Sequence, residues 1–229
     1  MNAPIKIITT VAMQAVFEKL APAFKDATGR DVVMTYGPPS AAAEMVRNNE
    51  EADIVVSTPD AIATLARDGL TGQGSVLCRM QMGLAVGMNE PKPSIATPHE
   101  FKAALLRAKS IIHADPKTGS PSAAHFLKVV EQLGIADEVA AKTTRRAGVV
   151  AHAVASGECA MAVQQLAELM LVPGVHVLGP FPAELQNYLP LAAAVHAKAQ
   201  ASDAAQKLID LIAAPSAKSI IEQAGLLSP

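Results

Sequence analysis

Tryptophan is absent from this 229-residue chain, and aromatic residues of all kinds make up only 3% of it. That removes the stacked platforms on which single strands of nucleic acid are held. The net charge of -2 and the pI near 6.3 remove the basic face that a phosphate backbone requires, so no nucleic-acid partner is expected. No uncharged apolar run approaches the ~18 residues that cross a bilayer, so no membrane span is expected either. Cysteine is limited to Cys78 and Cys159. Each sits in an apolar run and neither belongs to a metal-ligand spacing, so both read as buried free thiols. Nothing resembles a Ser-His-Asp triad, a P-loop or a zinc motif. The expectation is no metal, no cofactor, and neither hydrolase nor nucleotide chemistry.

What the chain does have is hydrophobicity spread at regular intervals. Half of its residues are hydrophobic and 17% are charged, which places it with globular proteins and far from the disordered class. Three times an apolar stretch runs through small or hydroxylated residues straight into a helical pattern. The joints are Thr9-Thr10-Val11-Ala12-Met13, Tyr36-Gly37-Pro38-Pro39-Ser40-Ala41, and Asp115-Pro116-Lys117-Thr118-Gly119-Ser120-Pro121-Ser122-Ala123. Each leaves backbone N–H groups at a helix start, where the helix dipole also favours negative charge. Together they point to a small anion gripped largely by backbone.

The order of elements follows from the periodicities. Ile5 to Ile8 reads as a buried strand, and Met13, Val16, Phe17, Leu20 and Phe24 then recur at helical spacing as far as Gly29. A strand at Val32–Met34, a helix opened by Ser40, a strand at Ile54–Val56 and a helix from Pro59 to Gly69 follow. This alternation predicts parallel sheet covered by helices. Gly72-Gln73-Gly74 precedes a strand, so it reads as a turn and not as a dinucleotide fingerprint. Val76 to Val86 is one long apolar segment. Beyond it come a helix from Pro98, a strand at Ser110–His113, a helix from Ser122 to Leu133, a basic stretch around Arg145, and strands at Met161–Val163 and Val175–Leu178. Gly179-Pro180-Phe181-Pro182 reads as a loop. Leu189 to Val195 is apolar again, and helices from Ser202 to Ala213 and from Pro215 to Ala224 end the chain. The fold class is α/β: two lobes with mixed, mostly parallel sheets. Residues 1–80 and 190–229 form one lobe, 84–180 the other, and hinge crossings lie near 80–84 and 181–190.

With that layout, several segments resemble the type II periplasmic solute-binding proteins, specifically the molybdate-binding family and its relatives. They are Leu20-Ala21-Pro22-Ala23-Phe24 with Thr28-Gly29, Tyr36-Gly37-Pro38-Pro39-Ser40, Ala52-Asp53-Ile54-Val55-Val56-Ser57, Leu133-Gly134, Gly157-Glu158, Pro173-Gly174-Val175, Gly179-Pro180, Pro182-Ala183-Glu184-Leu185-Gln186 and Ala224-Gly225. The resemblance implies two α/β lobes that hold ligand in the cleft between them and close on it. It also implies that ligand meets the chain at Ala12, at Pro39-Ser40, at Ser122 and at Gln164. Ala12 and Gln164 stand where the molybdate pattern has a serine and a tyrosine. Each change removes a hydroxyl donor for a tetrahedral metal oxyanion, while an amide suits an organic carboxylate.

The candidate ligand-binding residues are therefore Thr10, Ala12, Met13, Ser40, Ala41, Ser120, Ser122, Arg146, Gly148, Gln164 and Tyr188. Alternation along the first strand buries one of Thr9 and Thr10 and exposes the other, Thr10 being nearer the helix start. Arg145-Arg146 offers a guanidinium fork for a carboxylate, and Ala147-Gly148-Val149 can open a helix with free backbone donors. Helix N-capping is the plain alternative for Ser40 and Ser122. His113 and His125 are considered as proton carriers beside structural roles, and Asp53 is expected to order a sheet end. No base is singled out.

Two functions follow as expectations. The first is binding of a small organic di- or tricarboxylate, with molybdate-type oxyanions less suited. The alternative comes from the family resemblance, whose relatives include aconitate isomerase, an enzyme that shifts a proton between carbons of an unsaturated tricarboxylate without cofactor. Met1-Asn2-Ala3-Pro4 leads directly into Ile5, without basic leader or cleavage site. As written, the chain is expected in the cytoplasm, and in the periplasm if a leader has been removed. A monomer is expected.

Overall fold

A computed structural model describes residues 2–229. In chain order the strands and helices are β1 (Ile5–Thr9), α1 (Gln14–Thr28), β2 (Val32–Tyr36), α2 (Pro39–Arg47), β3 (Ile54–Ser57), α3 (Pro59–Arg67), β4 (Ser75–Met80), β5 (Met82–Gly87), α4 (Pro98–Arg107), β6 (Ile111–Ala114), α5 (Pro121–Gln132), α6 (Ala136–Ala140), β7 (Thr143–Arg146), α7 (Ala151–Ala155), β8 (Met161–Gln165), α8 (Leu166–Met170), β9 (Val175–Pro180), β10 (Leu189–Val195), α9 (Ser202–Ala213) and α10 (Lys218–Gln223). Contacts divide the chain into two compact units, Met1–Arg79 with Leu189–Pro229, and Met80–Tyr188.

The first unit is built on a five-stranded sheet in the order β2-β1-β3-β10-β4. β1 runs parallel to β2, from Ile5 opposite Val32 to Thr9 opposite Tyr36, and parallel to β3 on its other side. β10 enters antiparallel to β3. Every residue of β3 is buried, as a strand covered on both faces by helices must be, whereas β2 at the edge is largely exposed. Ile8 and Val55 pack with Ile62 and Leu65 of α3. α1 buries Val16, Phe17, Leu20 and Phe24, a stripe at helical spacing, and ends at Gly29, whose φ of 67° closes the last turn.

Asp53 orders the end of this sheet. Its Oδ2 accepts the backbone N–H of Lys6 at 2.9 Å, and its Oδ1 accepts those of Gln200 and Ala201 at 2.9 and 3.3 Å. One carboxylate thus ties β1 to the start of α9, although 53 and 200 are far apart in sequence.

The second unit repeats the plan in the order β7-β6-β8-β5-β9. β6 is parallel to β7 and β8, and β5 is antiparallel to β8 and β9. Leu84, Phe101, Ile111, Phe126, Val129 and Val163 are among the buried residues of its core. At the start of β5, Gln186 holds Met82 by both backbone groups. Its Oε1 accepts the Met82 N–H at 2.7 Å and its Nε2 donates to the Met82 carbonyl at 3.0 Å.

Several elements differ from the sequence reading. The apolar run from Val76 to Val86 is two strands, β4 and β5, that break at Gln81. Gly179 and Pro180 belong to β9 and not to a loop; β9 is an edge strand, where a missing N–H is tolerated. The basic stretch is the strand β7, and Gly148 does not open a helix, since α7 begins at Ala151. α6 and α8 are five-residue helices, too short to leave a periodic pattern. Among the described residues no helix is long and apolar enough to cross a membrane.

Candidate functional site

In each unit most of the candidate residues lie at the carboxyl ends of the parallel strands. In α/β sheets that end is where helix N-termini point and where ligands bind.

In the first unit, β1 ends at Thr9 and the chain turns at once through a 3-10 turn, Val11–Met13, into α1. Thr10 precedes the turn with extended backbone, and its carbonyl accepts the Met13 N–H at 3.0 Å. The N–H groups of Val11 and Ala12 stand ahead of the first intrahelical acceptor, as they do at every helix start. The alternation expected of Thr9 and Thr10 is not kept: both are buried, and the Thr9 hydroxyl has no hydrogen-bond partner among the described residues. The chain leaves the sheet at Thr10, so the two-residue period stops applying there. Ala12 and Met13 are also fully buried.

The second joint lies beside the first. Gly37 donates its N–H to the Thr9 carbonyl at 2.9 Å, extending the pairing of Thr9 with Tyr36. α2 then starts at Pro39, with Pro38 as its cap residue and no side-chain cap bond. Ser40 is the second helical residue, so the capping explanation of its hydroxyl does not apply. Ala41 donates to the Pro38 carbonyl at 2.9 Å. From the end of β3, the Ser57 hydroxyl donates to the Pro39 carbonyl at 2.6 Å and fixes this turn against the sheet. Tyr36 itself is partly exposed, and its hydroxyl lies 3.3 Å from the Met34 sulfur. Burial, with Glu18 adding to it, pushes its pKa up.

In the second unit, β6 leads through Asp115 to the head of α5. Ser120 is the cap residue of that helix but makes no side-chain cap bond. Its hydroxyl lies 2.9 Å from that of Ser122, which is buried. β7 ends at Arg146, and Gly148 follows with a φ of 80°, a left-handed turn that suits glycine. At the end of β8, the buried Gln164 spans this turn. Its Oε1 accepts the Val150 N–H and its Nε2 donates to the Gly148 carbonyl, both at 2.9 Å. Ser120, Ser122, Gly148 and Gln164 therefore come from neighbouring strand ends of one sheet.

The structure adds detail at four of the residues named from the sequence. Both ends of the Gln164 amide are engaged with backbone, so its observed work is to hold the loop 148–150 in place. Arg146 is paired in a two-pronged contact with Glu158, at 2.6 and 3.1 Å, and this carboxylate raises its pKa. Tyr188 is the last residue of the second unit and is exposed. His125 is held by the Leu185 carbonyl at 2.7 Å, a structural contact.

One residue of chemical interest escapes the sequence reading. Glu168 in α8 is only partly exposed, and its carboxyl is withdrawn from water beside Gln164. Burial pushes its pKa up to about 7, while the hydrogen bond with Gln164 opposes the rise. A carboxyl with that pKa can both accept and return a proton near neutrality. The signal available was a lone acidic residue set among apolar Leu166, Ala167 and Leu169 directly after a buried strand. Among the described residues no cluster of three His, Cys, Asp or Glu side chains could hold a metal ion. Both cysteines are free and buried.

Comparison with known proteins gives this geometry a family. The chain is 28% identical over 234 residues to an aconitate isomerase of Pseudomonas sp, covering 97% of this chain and 87% of that one. It superposes on the periplasmic molybdate-binding protein of Azotobacter vinelandii with a TM-score of 0.77 at 19% identity, covering 98% and 99% of the two chains. It also superposes on the sulfate-binding protein of Mycobacterium tuberculosis H37Rv with a TM-score of 0.72 at 16% identity, covering 99% and 86%. At these identities the solved structures show the type II periplasmic-binding-protein fold and no more. A family model, the bacterial extracellular solute-binding protein, matches residues 5–227, and the chain belongs to that family.

Proposed function

We propose that this protein binds a small organic anion, a di- or tricarboxylate, at the strand ends where the candidate residues lie, as a monomer. The observation that carries the reading is the pair Ser120 and Ser122. Their hydroxyls meet each other 2.9 Å apart at the head of α5, and no side-chain cap bond occupies Ser120, so a carboxylate can take both as donors beside the helix N-terminus. Ala12 supports carbon-based ligands over metal oxyanions, because it brings no hydroxyl to a tetrahedral anion. Thermal unfolding with citrate, aconitate, malate, sulfate and molybdate tests this. A ligand at a hundred times its Kd is expected to raise Tm by about 5–10 °C, with a tricarboxylate ahead of molybdate. No shift with any of them would remove the reading.

Glu168 favours a second reading, an isomerase of an unsaturated tricarboxylate, in keeping with the aconitate isomerase relative. Here Glu168 takes a proton from the allylic carbon, the freed electron pair moves the double bond one position along, and the proton returns to the far alkene carbon. Neither oxidant nor metal enters the balance. Incubation of trans-aconitate in deuterium oxide decides it: cis isomer is expected, carrying deuterium to the extent that the Glu168 proton exchanges with solvent before its return, and absence of the cis isomer refutes the reading. The receptor reading fits a periplasmic location, and the enzyme reading is compatible with the cytoplasm.

A further inference from the structure

His113 and Arg145 are separate features in the sequence, and the second unit sets them side by side. β6 and β7 pair in parallel with His113 opposite Arg145, so both side chains leave the sheet on the same face. His113 is 1% exposed. Its Nδ1 lies 2.7 Å from the Ala114 carbonyl, and its ring meets Phe126 edge-on with centroids 5.2 Å apart. A ring nitrogen facing a carbonyl carries the hydrogen, which leaves Nε2 of the neutral ring a bare acceptor. Nε2 is buried and has no hydrogen-bond partner among the described residues. Burial is the largest influence on the pKa of His113 and pushes it down, which keeps the ring neutral; Arg145 acts the same way, against the Ala114 and Asp115 contacts. The Arg145 guanidinium is exposed, with no ion pair among the described residues.

Both residues line a cavity of about 280 Å³ whose apolar walls include Phe126, Val130 and Val139. We propose that this cavity is a second binding site, for a small monocarboxylate that carries a hydroxyl group. The carboxylate lies on Arg145, whose planar fork matches it. The hydroxyl donates to Nε2 of His113, which needs a donor because a buried unpaired acceptor is costly. The carbon skeleton lies against the apolar walls. Glu131 and Asp137 also line the cavity and repel a second carboxylate, which separates this ligand from the polycarboxylate of the strand ends. The site stands on its own residues and does not depend on the function proposed above.

The test is a titration of the full chain, labelled with nitrogen-15 at histidine, with 3-hydroxybenzoate, followed by NMR at the His113 ring. A saturable shift of Nε2 is expected. Benzoate, which lacks the hydroxyl, should bind about tenfold more weakly through loss of one neutral hydrogen bond to Nε2, and Arg145→Gln should weaken 3-hydroxybenzoate by about tenfold or more through loss of a charge-assisted one. Arg145 is exposed, so its substitution leaves the fold intact and the comparison clean. No saturable change at His113, equal binding of benzoate, or unchanged affinity in Arg145→Gln would each overturn the proposal.

Discussion

The guanidinium of Arg146 meets the carboxylate of Glu158 with both prongs, 2.6 Å from Oε1 and 3.1 Å from Oε2. This cation, at the end of β7 and close to Gly148, is already answered by a carboxylate of the same unit. A ligand that used it would first have to displace Glu158.

Arg146→Gln is therefore expected to change carboxylate affinity by less than about twofold, and to leave stability nearly unchanged, as is usual for exposed ion pairs. Calorimetric titration of wild type and variant measures this. A tenfold loss would return Arg146 to the ligand-binding set.

Gln164 carries a larger structural load. Replacing it with leucine strands the Val150 N–H and the Gly148 carbonyl, at a cost of ~1–3 kcal/mol for each group left unpaired. Urea unfolding should show the loss, and the amides of residues 148–150 should exchange faster with solvent. Unchanged exchange would mean that the loop is held by something else.

Glu168 gives stability a definite pH dependence. Its folded pKa of about 7 lies above the ordinary 4.5, so between these values the folded protein binds more protons than the unfolded one. Stability then falls as pH rises from about 4.5 to 7 and levels off above, by an amount of the order of 3 kcal/mol. Glu168→Gln, neutral at every pH, should flatten that fall and raise the melting temperature at pH 8. A melting temperature that drops at pH 8 would place the charged carboxylate in a favourable contact instead.

Asp53→Ala should be among the most damaging single changes in the first unit. It removes the acceptor from three backbone N–H groups on two distant segments, for a loss of about 3 kcal/mol or more. Asp53→Asn keeps one acceptor oxygen and should lose less. Equal losses for the two variants would show that packing and not hydrogen bonding is at stake.

The thiols should be silent in the folded protein. Cys78 is fully buried, which pushes its pKa up to about 12, and burial likewise raises that of Cys159. Thiolate is the reactive form, so iodoacetamide at pH 8 should label neither residue until denaturant unfolds the chain. Labelling of Cys159 alone before unfolding would reveal local opening of the second unit.

Periodicity made most of the fold legible. The stripe from Val16 to Phe24 with Gly29 behind it, and the run Ile54–Val56, state a helix and a buried strand before any contact is known. The short helices α6 and α8 were hidden because one turn carries no period. The break at Gln81 was hidden because an apolar run looks alike in one strand or two. At the candidate site, the small-residue joints were legible as places where strands run into helix starts, but the partners of Gln164 and Arg146 did not show, since Val150 and Glu158 reach them only through the turns between β7 and β8.

By itself the sequence determined which segments could be strands and helices and where strands run through small residues into helix starts. These are local matters of period, turn chemistry and charge. Only the tertiary structure decided which polar groups are spent and which are spare. It spent the Gln164 amide on a loop and the Arg146 charge on Glu158, enclosed the Glu168 carboxyl, and left the Nε2 of His113 without a partner among the described residues, beside Arg145. Hydrogen bonding and desolvation depend on what lies within a few ångströms, and that is set by the strand order, which brings residues such as 113 and 145 together.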